Sequence, residues 1–409
     1  CFSGASALTD DLSTCIPGFV LFFSNSLQNA DTADVLGYYA SVDFDINDQW
    51  TVIAEGRYQQ DELTKGDGVL TPGEPILQDS FDQFLPRVIV RWQPSDATNL
   101  FLSYSEGQIA GDFNTFFINA DDRERAQYLA AEPSVSESTP AEELEAWEFG
   151  WKQDWLDGRI QTNLAVYTME WTAIKGRSSV QVNETCRAAD IDVDPACQSS
   201  NGLGVGDPKQ IPDPGGGGGL VPFFNSRNVL LPGDADITGI ELESWFRPTD
   251  ELTFTLNLSH INSEYTDYKF NFVAPIAGFS QMRGNSTPRQ PEWSGNATAT
   301  QYFSWDDYNG YVRGELIYQG SAFVDESNLA EIDSYTLVNL RAGINTDTYL
   351  VELFVKNLFD EDAWATGARW TDFSSPTQFA FLTAKQGVAV SPQDKREFGI
   401  RATYRFGAQ

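Results

Sequence analysis

The chain has 409 residues, and its 26 Lys+Arg against 59 Asp+Glu leave a formal charge of −33. That surplus of negative charge repels DNA and RNA. A lone histidine (His260) excludes any centre needing two imidazoles, and no apolar run reaches the ~18 residues of a membrane helix. Aromatic residues make up 13 %, too many for a disordered acidic polymer and suited to a membrane interface.

Residues 1–34 show no alternation and read as a loop segment, although a cysteine at position 1 also fits a mature lipoprotein. From Leu36 the chain alternates: Leu36, Tyr38, Ala40, Val42, Phe44 and Ile46 oppose Gly37, Tyr39, Ser41, Asp43 and Asp45. Successive side chains of a strand point to opposite faces, so this segment has one apolar and one polar side. After Asn47-Asp48-Gln49 the pattern resumes with Trp50, Val52, Ala54 and Tyr58 against Thr51, Glu55, Arg57 and Gln59, which makes a hairpin. Five more hairpins follow, with strands over 85–92 and 99–105, 146–155 and 159–171, 237–246 and 252–265, 292–303 and 311–319, and 335–345 and 349–357. A last strand over 397–406 brings the total to about thirteen.

Turns inside the hairpins are short, whereas the connections between hairpins run from roughly 15 to 65 residues. A transmembrane barrel has this rhythm, with short turns on the periplasmic side and long loops outside. The apolar faces carry Trp50, Trp92, Trp147, Trp151, Trp155 and Trp293, several near strand ends. The opposite faces carry Glu55, Arg57, Arg91, Glu148, Lys152, Glu241, Glu243, Arg313, Glu315, Arg341, Glu352 and Arg401. Such charges fit a wet lumen, since Lys or Arg at the lipid midplane costs about 2–4 kcal/mol. A soluble sandwich or β-helix accounts for neither the tryptophans nor the loop rhythm. The fold class expected is therefore all-β, a transmembrane antiparallel β-barrel.

Several segments resemble the carboxy-terminal part of the TonB-dependent receptors, 22-stranded outer-membrane transporters of Gram-negative bacteria. Pro86-Arg87-Val88 through Trp92, then Pro94-Ser95-Asp96 and Ser103-Tyr104-Ser105-Glu106-Gly107, is similar to their strand ending in "YSxGF", with Gln108 and Ile109 in place of the aromatic. Trp147-Glu148-Phe149-Gly150-Trp151-Lys152 with Asp157-Gly158-Arg159 resembles "YExGxK…DGR". Gly239-Ile240-Glu241-Leu242-Glu243 with Pro248-Thr249-Asp250 resembles "GxExE…PTD", and Lys356-Asn357-Leu358-Phe359-Asp360 resembles "KNLFD". The tail, through Gly399, Tyr404 and Phe406, resembles the strand recognised by the barrel-assembly machinery, although Gly407-Ala408-Gln409 follows the terminal Phe.

The resemblance implies that residues 35–406 are strands ten to twenty-two, that 1–34 is an extracellular loop segment, and that the plug, the first strands and the coupling box lie outside this chain. It implies energy-dependent uptake of a siderophore, cobalamin or oligosaccharide. The implied partners are a TonB-type coupling protein, the barrel-assembly machinery, outer-membrane lipid and a small-molecule ligand. No enzyme activity, cofactor or metal is expected, and a passive porin or adhesion barrel is the competing reading. Ligand contacts are sought in aromatic and Arg-bearing loops: Phe116, Phe117, Arg123, Arg125, Tyr128, Trp364, Arg369, Trp370 and Phe373, which equally suit loop packing. Cys1, Cys15, Cys186 and Cys197 allow three pairings, and pairing of near neighbours within one loop is favoured over free thiols or zinc ligation. Asp190, Asp192 and Asp194 imitate a calcium loop, but Pro195 stands where Gly is needed, so a solvated acidic loop is expected.

Overall fold

A computed structural model describes residues 29–67, 75–213, 217–306, 308–371 and 386–406. In chain order it contains β1 (Asn29–Asn47), β2 (Trp50–Asp67), β3 (Pro75–Ser95) and β4 (Thr98–Ile109). The next loop carries β5 (Asp112–Phe113), α1 (Thr115–Ile118), α2 (Asp122–Ala131) and β6 (Ser138–Thr139). Then come β7 (Glu142–Trp155) and β8 (Ile160–Val182), followed by a loop with β9 (Gln210–Pro212) and β10 (Leu220–Pro222). After β11 (Asn225–Phe246) and β12 (Leu252–Asp267), the loop holds α3 (Ala274–Ala277). The chain continues through β13 (Trp293–Trp305) and β14 (Tyr308–Gln319), then β15 (Ala322–Phe323) and β16 (Glu331–Ile332). It ends with β17 (Tyr335–Asn345), β18 (Tyr349–Lys356), a loop hairpin of β19 (Trp364–Thr371) and β20 (Gln386–Pro392), and β21 (Glu397–Tyr404).

Thirteen strands form one sheet in the order β1-β2-β3-β4-β7-β8-β11-β12-β13-β14-β17-β18-β21, and its described pairings are antiparallel. Chain contacts divide into two compact units, Cys1–Val35 with Asp61–Ser80, and Leu36–Gln60 with Phe81–Gln409. In the first, Gln78 donates a hydrogen bond to Glu62. The second holds the site residues discussed below.

The short turns fall where the alternation breaks, but the strands are longer than it suggests. β8 has 23 residues and β11 has 22, against 159–171 and 237–246 read from alternation, and β1 begins at Asn29 rather than near Leu36. Alternation marks a strand only where its two faces meet different media. Beyond that zone the ladder continues, from Gly233–Ile174 to Asn225–Val182, with loop side chains packed on it. In the Leu156-Asp157-Gly158 turn all three residues have positive φ (53°, 54° and 80°), a conformation that glycine adopts without strain.

Three glycines of the family-like motifs have a common cause. Gly150 faces Phe101, Gly239 faces Tyr167 and Gly399 faces Phe354. A Cβ at Gly150 or Gly239 would overlap the facing ring, and one at Gly399 would stand 2.7 Å from Phe354 Cζ. Each ring occupies the space that a side chain on the neighbouring strand would otherwise fill. Aromatic cover of a strand glycine restores buried area that the missing side chain forfeits.

Candidate ligand-binding face and loop cap

Strand register decides which side chains share a face. One cross-strand row runs Arg91–Phe101–Gly150–Ala165–Glu241–Ser259–Ser294–Gln319. Steps of two along each strand add Glu148, Lys152 and Glu243, then Arg313 and Glu315, and register carries the same face through Arg341 and Glu352 to Arg401. Arg87 pairs with Glu55 at 3.3 Å, and Arg91 donates to Thr51 at 2.9 Å, so Glu55 and Arg57 lie on that face too. All twelve charged residues are thus on one side. Glu352, 7 % exposed, accepts from Tyr311 and lies 3.9 Å from both Arg341 and Arg401. A depression of about 400 Å³ is lined by Glu241, Glu243, Asn257, Ser259, Asn296 and Glu315. The amide oxygens of Asn99 and Asn163, either side of Lys152, are buried without a hydrogen-bond partner.

The other face is apolar and bounded by aromatics. Near the short turns Trp50 stacks on Trp92 (5.5 Å between centroids), Trp151 meets Trp155 (5.9 Å), Phe246 meets Phe254 (6.2 Å) and Trp305 meets Tyr308 (5.8 Å). Towards the long loops Tyr104 packs on Trp147 (4.9 Å) and His260 on Trp293 (4.4 Å). One step beyond them, five carboxylates stand in a single cross-strand row: Glu106, Glu145, Glu170, Asp236 and Glu264.

The long loops interlock around buried charges. α2 begins with a capping box, in which Asp121 accepts from Glu124 N–H and Glu124 accepts from Asp121 N–H. Glu124, 2 % exposed, also accepts from Thr185 N–H at 2.6 Å and from Arg187 at 3.2 Å. Asn183 accepts from Arg123, donates its backbone N–H to Gln127 Oε1, and donates its side-chain amide to the Lys209 and Phe223 carbonyls. Glu132 accepts from Ser178 and from Lys269, and Asn271 donates to the Ser179 carbonyl, which ties in the loop after β12.

Cys186 and Cys197 are bonded, with sulfurs 2.07 Å apart, whereas Cys1 and Cys15 lie outside the described residues. The acidic run is the solvated loop expected only at Asp192, which is exposed. Asp194 and Asp190 approach Lys209 at 2.9 and 3.9 Å, and Asp192 accepts from Ser199. Lys209 also meets Glu184 at 3.1 Å, and Arg227 pairs with the same carboxylate. Alternation and spacing carry no information about a lysine fifteen or more residues away that folds back into the cluster.

Burial opposes ionisation of Glu184, yet the hydrogen bond and charge of Arg227, with Lys209, hold its carboxyl down at about 2. A carboxyl whose folded value lies below its unfolded one stabilises above the unfolded value and loses that contribution as pH falls. The loop should therefore keep full protection above about 4.5 and lose it as pH approaches 2. Pepsin cleavage within 183–213 that rises over that window checks this. Equal cleavage at pH 4 and 2 would refute it.

The residues singled out as ligand contacts fall into two groups. In the α1–α2 loop, Tyr128 is 2 % and Phe117 6 % exposed, and their rings meet edge-on at 5.7 Å. Burial raises the Tyr128 phenol well above its usual range. Arg125 lies over Phe117 (5.1 Å) and donates to the Ile118 and Ala120 carbonyls, while Arg123 is bound to Asn183. These four hold the loop together. Phe116 remains 40 % exposed, with the Arg227 guanidinium 4.7 Å from its ring. On β19, Trp364 and Trp370 are 47 % and 59 % exposed. Arg369 instead stacks over Phe270 (5.0 Å) and pairs with Asp325 at 3.3 Å. Phe373 lies outside the described residues. Sequence reasoning missed Arg227, Glu184, Lys209 and Asn183; only the Asp121-x-x-Glu124 box carried a readable signal.

A long antiparallel sheet, polar on one side and aromatic-bounded apolar on the other, with short turns opposite interlocked loops, defines the large β-barrel receptor class. The family "TonB dependent receptor-like, beta-barrel" matches residues 6–358, and the chain belongs to that family. Its fold is similar to three solved receptors. They are the ferric yersiniabactin uptake receptor FyuA of Yersinia pestis (16 % identity, TM-score 0.58), the ferric preacinetobactin receptor BauA of Acinetobacter baumannii (14 %, 0.56) and the siderophore receptor PiuA of A. baumannii (14 %, 0.55). Each match covers 91 % of this chain, and 45 %, 43 % and 43 % of the respective receptors, so the chain spans less than half their length.

Proposed function

We propose that this chain forms barrel wall and loop cap of an outer-membrane receptor importing a scarce, bulky ligand, with energy delivered through a TonB-type protein. The observation that carries the reading is the two-faced sheet. Trp293 and Phe303 on the apolar face are ten residues apart (303 − 293), roughly 33 Å of strand and about 25 Å after a tilt of ~40°. That span equals the hydrocarbon band of outer-membrane barrels. Five adjacent carboxylates just beyond the upper aromatics suit the water side of that boundary, because hydrocarbon would not solvate them.

On the opposite face, the charged residues Glu148, Lys152, Glu241 and Glu243 suit a surface that meets water or further protein. In the family the plug is such a segment. The last strand exposes Phe398, Ile400, Tyr404 and Phe406 on its apolar side, which fits recognition by the barrel-assembly machinery. A ferric siderophore is the ligand class we assign, because the similar receptors are named for ferric siderophores, and exposed Phe116, Trp364 and Trp370, with the Arg227 guanidinium over the Phe116 ring, suit a flat, anionic chelate. Uptake of iron from a panel of ferric siderophores by cells bearing the intact protein tests this. Import should stop when the proton gradient is dissipated, and import that persists would favour a passive pore.

A further inference from the structure

We propose that Asn357 positions the β19–β20 hairpin, clamping both arms of the segment that bears Trp364, Arg369 and Trp370. That this hairpin would touch a ligand rests on the receptor reading above. Asn357 follows the last residue of β18, is 3 % exposed and has φ of 48°, a left-handed conformation that asparagine tolerates better than most residues. Its backbone N–H donates to Asn339 Oδ1 on β17 at 2.9 Å, which fixes it to the wall. Its side chain then grips two distant pieces of backbone. Nδ2 donates to the carbonyls of Glu361 and Asp394, both at 3.0 Å, and Oδ1 accepts from Glu361 N–H at 2.7 Å. Glu361 leaves the wall and Asp394 returns to it, so one amide closes the neck of the whole loop.

The pairing continues outward from that neck. Arg396 N–H donates to Asp360 Oδ1 at 2.9 Å, and Gln393 N–H donates to the Ala363 carbonyl at 2.9 Å. Strand pairing then runs from Trp364–Pro392 to Thr371–Gln386. The required side chain is short, with one acceptor and two donors on a single carbon. Only asparagine meets that specification at this reach, because aspartate cannot donate and glutamine is one methylene longer. The hairpin is therefore aimed by its base as well as by the Arg369–Asp325 pair further out.

Hydrogen exchange on the intact protein separates this role from a general structural one. Asn357→Gly keeps the left-handed backbone but loses the side chain, Asn357→Asp keeps the acceptor but loses both donations, and Asn357→Ala loses both features. In each variant the β19 and β20 amides should exchange about tenfold faster or more, with β17 and β18 as protected as in the parent. Parent-like protection in the glycine or aspartate variant would overturn the proposal. Equal loss of protection in β17 and β18 would do the same, by making Asn357 a wall residue. The aspartate variant is the mildest and carries the test if the others do not fold. No ligand enters the measurement, so failure of the receptor reading would leave this result standing.

Discussion

Leu316→Arg is expected to cut the yield of folded, membrane-inserted protein severely, while Asn296→Arg leaves it close to the parent's. Leu316 pairs with Ala297 and Val338 midway between the two aromatic rows, and it is 45 % exposed on the apolar face. Arginine at the lipid midplane of a barrel costs about 2–4 kcal/mol, a factor of roughly 30 to 1,000 in the folding equilibrium. Asn296 occupies nearly the same depth but points to the charged side, where it receives a hydrogen bond from Asn257 at 3.0 Å. Arginine there meets Glu243 and Glu315 nearby, so its charge is compensated. Folding into lipid vesicles, read from the heat-sensitive shift on gels, measures both. Equal tolerance of the two substitutions would mean that the apolar face does not meet lipid.

The second large effect is expected at Lys209. Its side chain is 7 % exposed, and its ammonium is the shared counter-ion of Glu184, Asp194 and Asp190. Lys209→Met leaves those carboxylates with Arg227 as the remaining cation, and breaking a buried pair from one side typically costs about 3–5 kcal/mol. That loss falls on the loop and not on the strand ladder, so the segment 183–213 should detach from α2 while the sheet stays folded. Trypsin cleavage after Arg187 should then be faster than in the parent. Adding Glu184→Gln to Lys209→Met should recover part of the resistance, because it removes one of the stranded charges. A variant that is cleaved no faster than the parent would show that the cluster does not hold the cap.

Both predictions bear on what kind of information each part of the molecule needs. The wall was legible from residues two apart: Trp147, Phe149 and Trp151 against Glu148 and Lys152 announce a strand and both its faces. Register, which is long-range, then brought the twelve charges together without altering which side any of them took. The loops were not legible in that way. Phe117 and Phe116 are neighbours of the same type, yet one is core and the other exposed. The partners that separate them lie far along the chain, as do Lys269 and Glu132, 137 residues apart. Asn357 was visible as part of a motif, but its work is set by Glu361 and Asp394, whose approach no local pattern encodes.

By itself, then, the order of amino acids determined a sheet with a wet and a greasy side, its hairpins and its resemblance to a receptor family, because alternation and turn chemistry act between near neighbours. Tertiary structure alone decided how far the strands extend beyond the alternating zone, which loop aromatics stay exposed, and which buried ions lock the cap. Those outcomes depend on contacts between segments that meet only after the chain has folded.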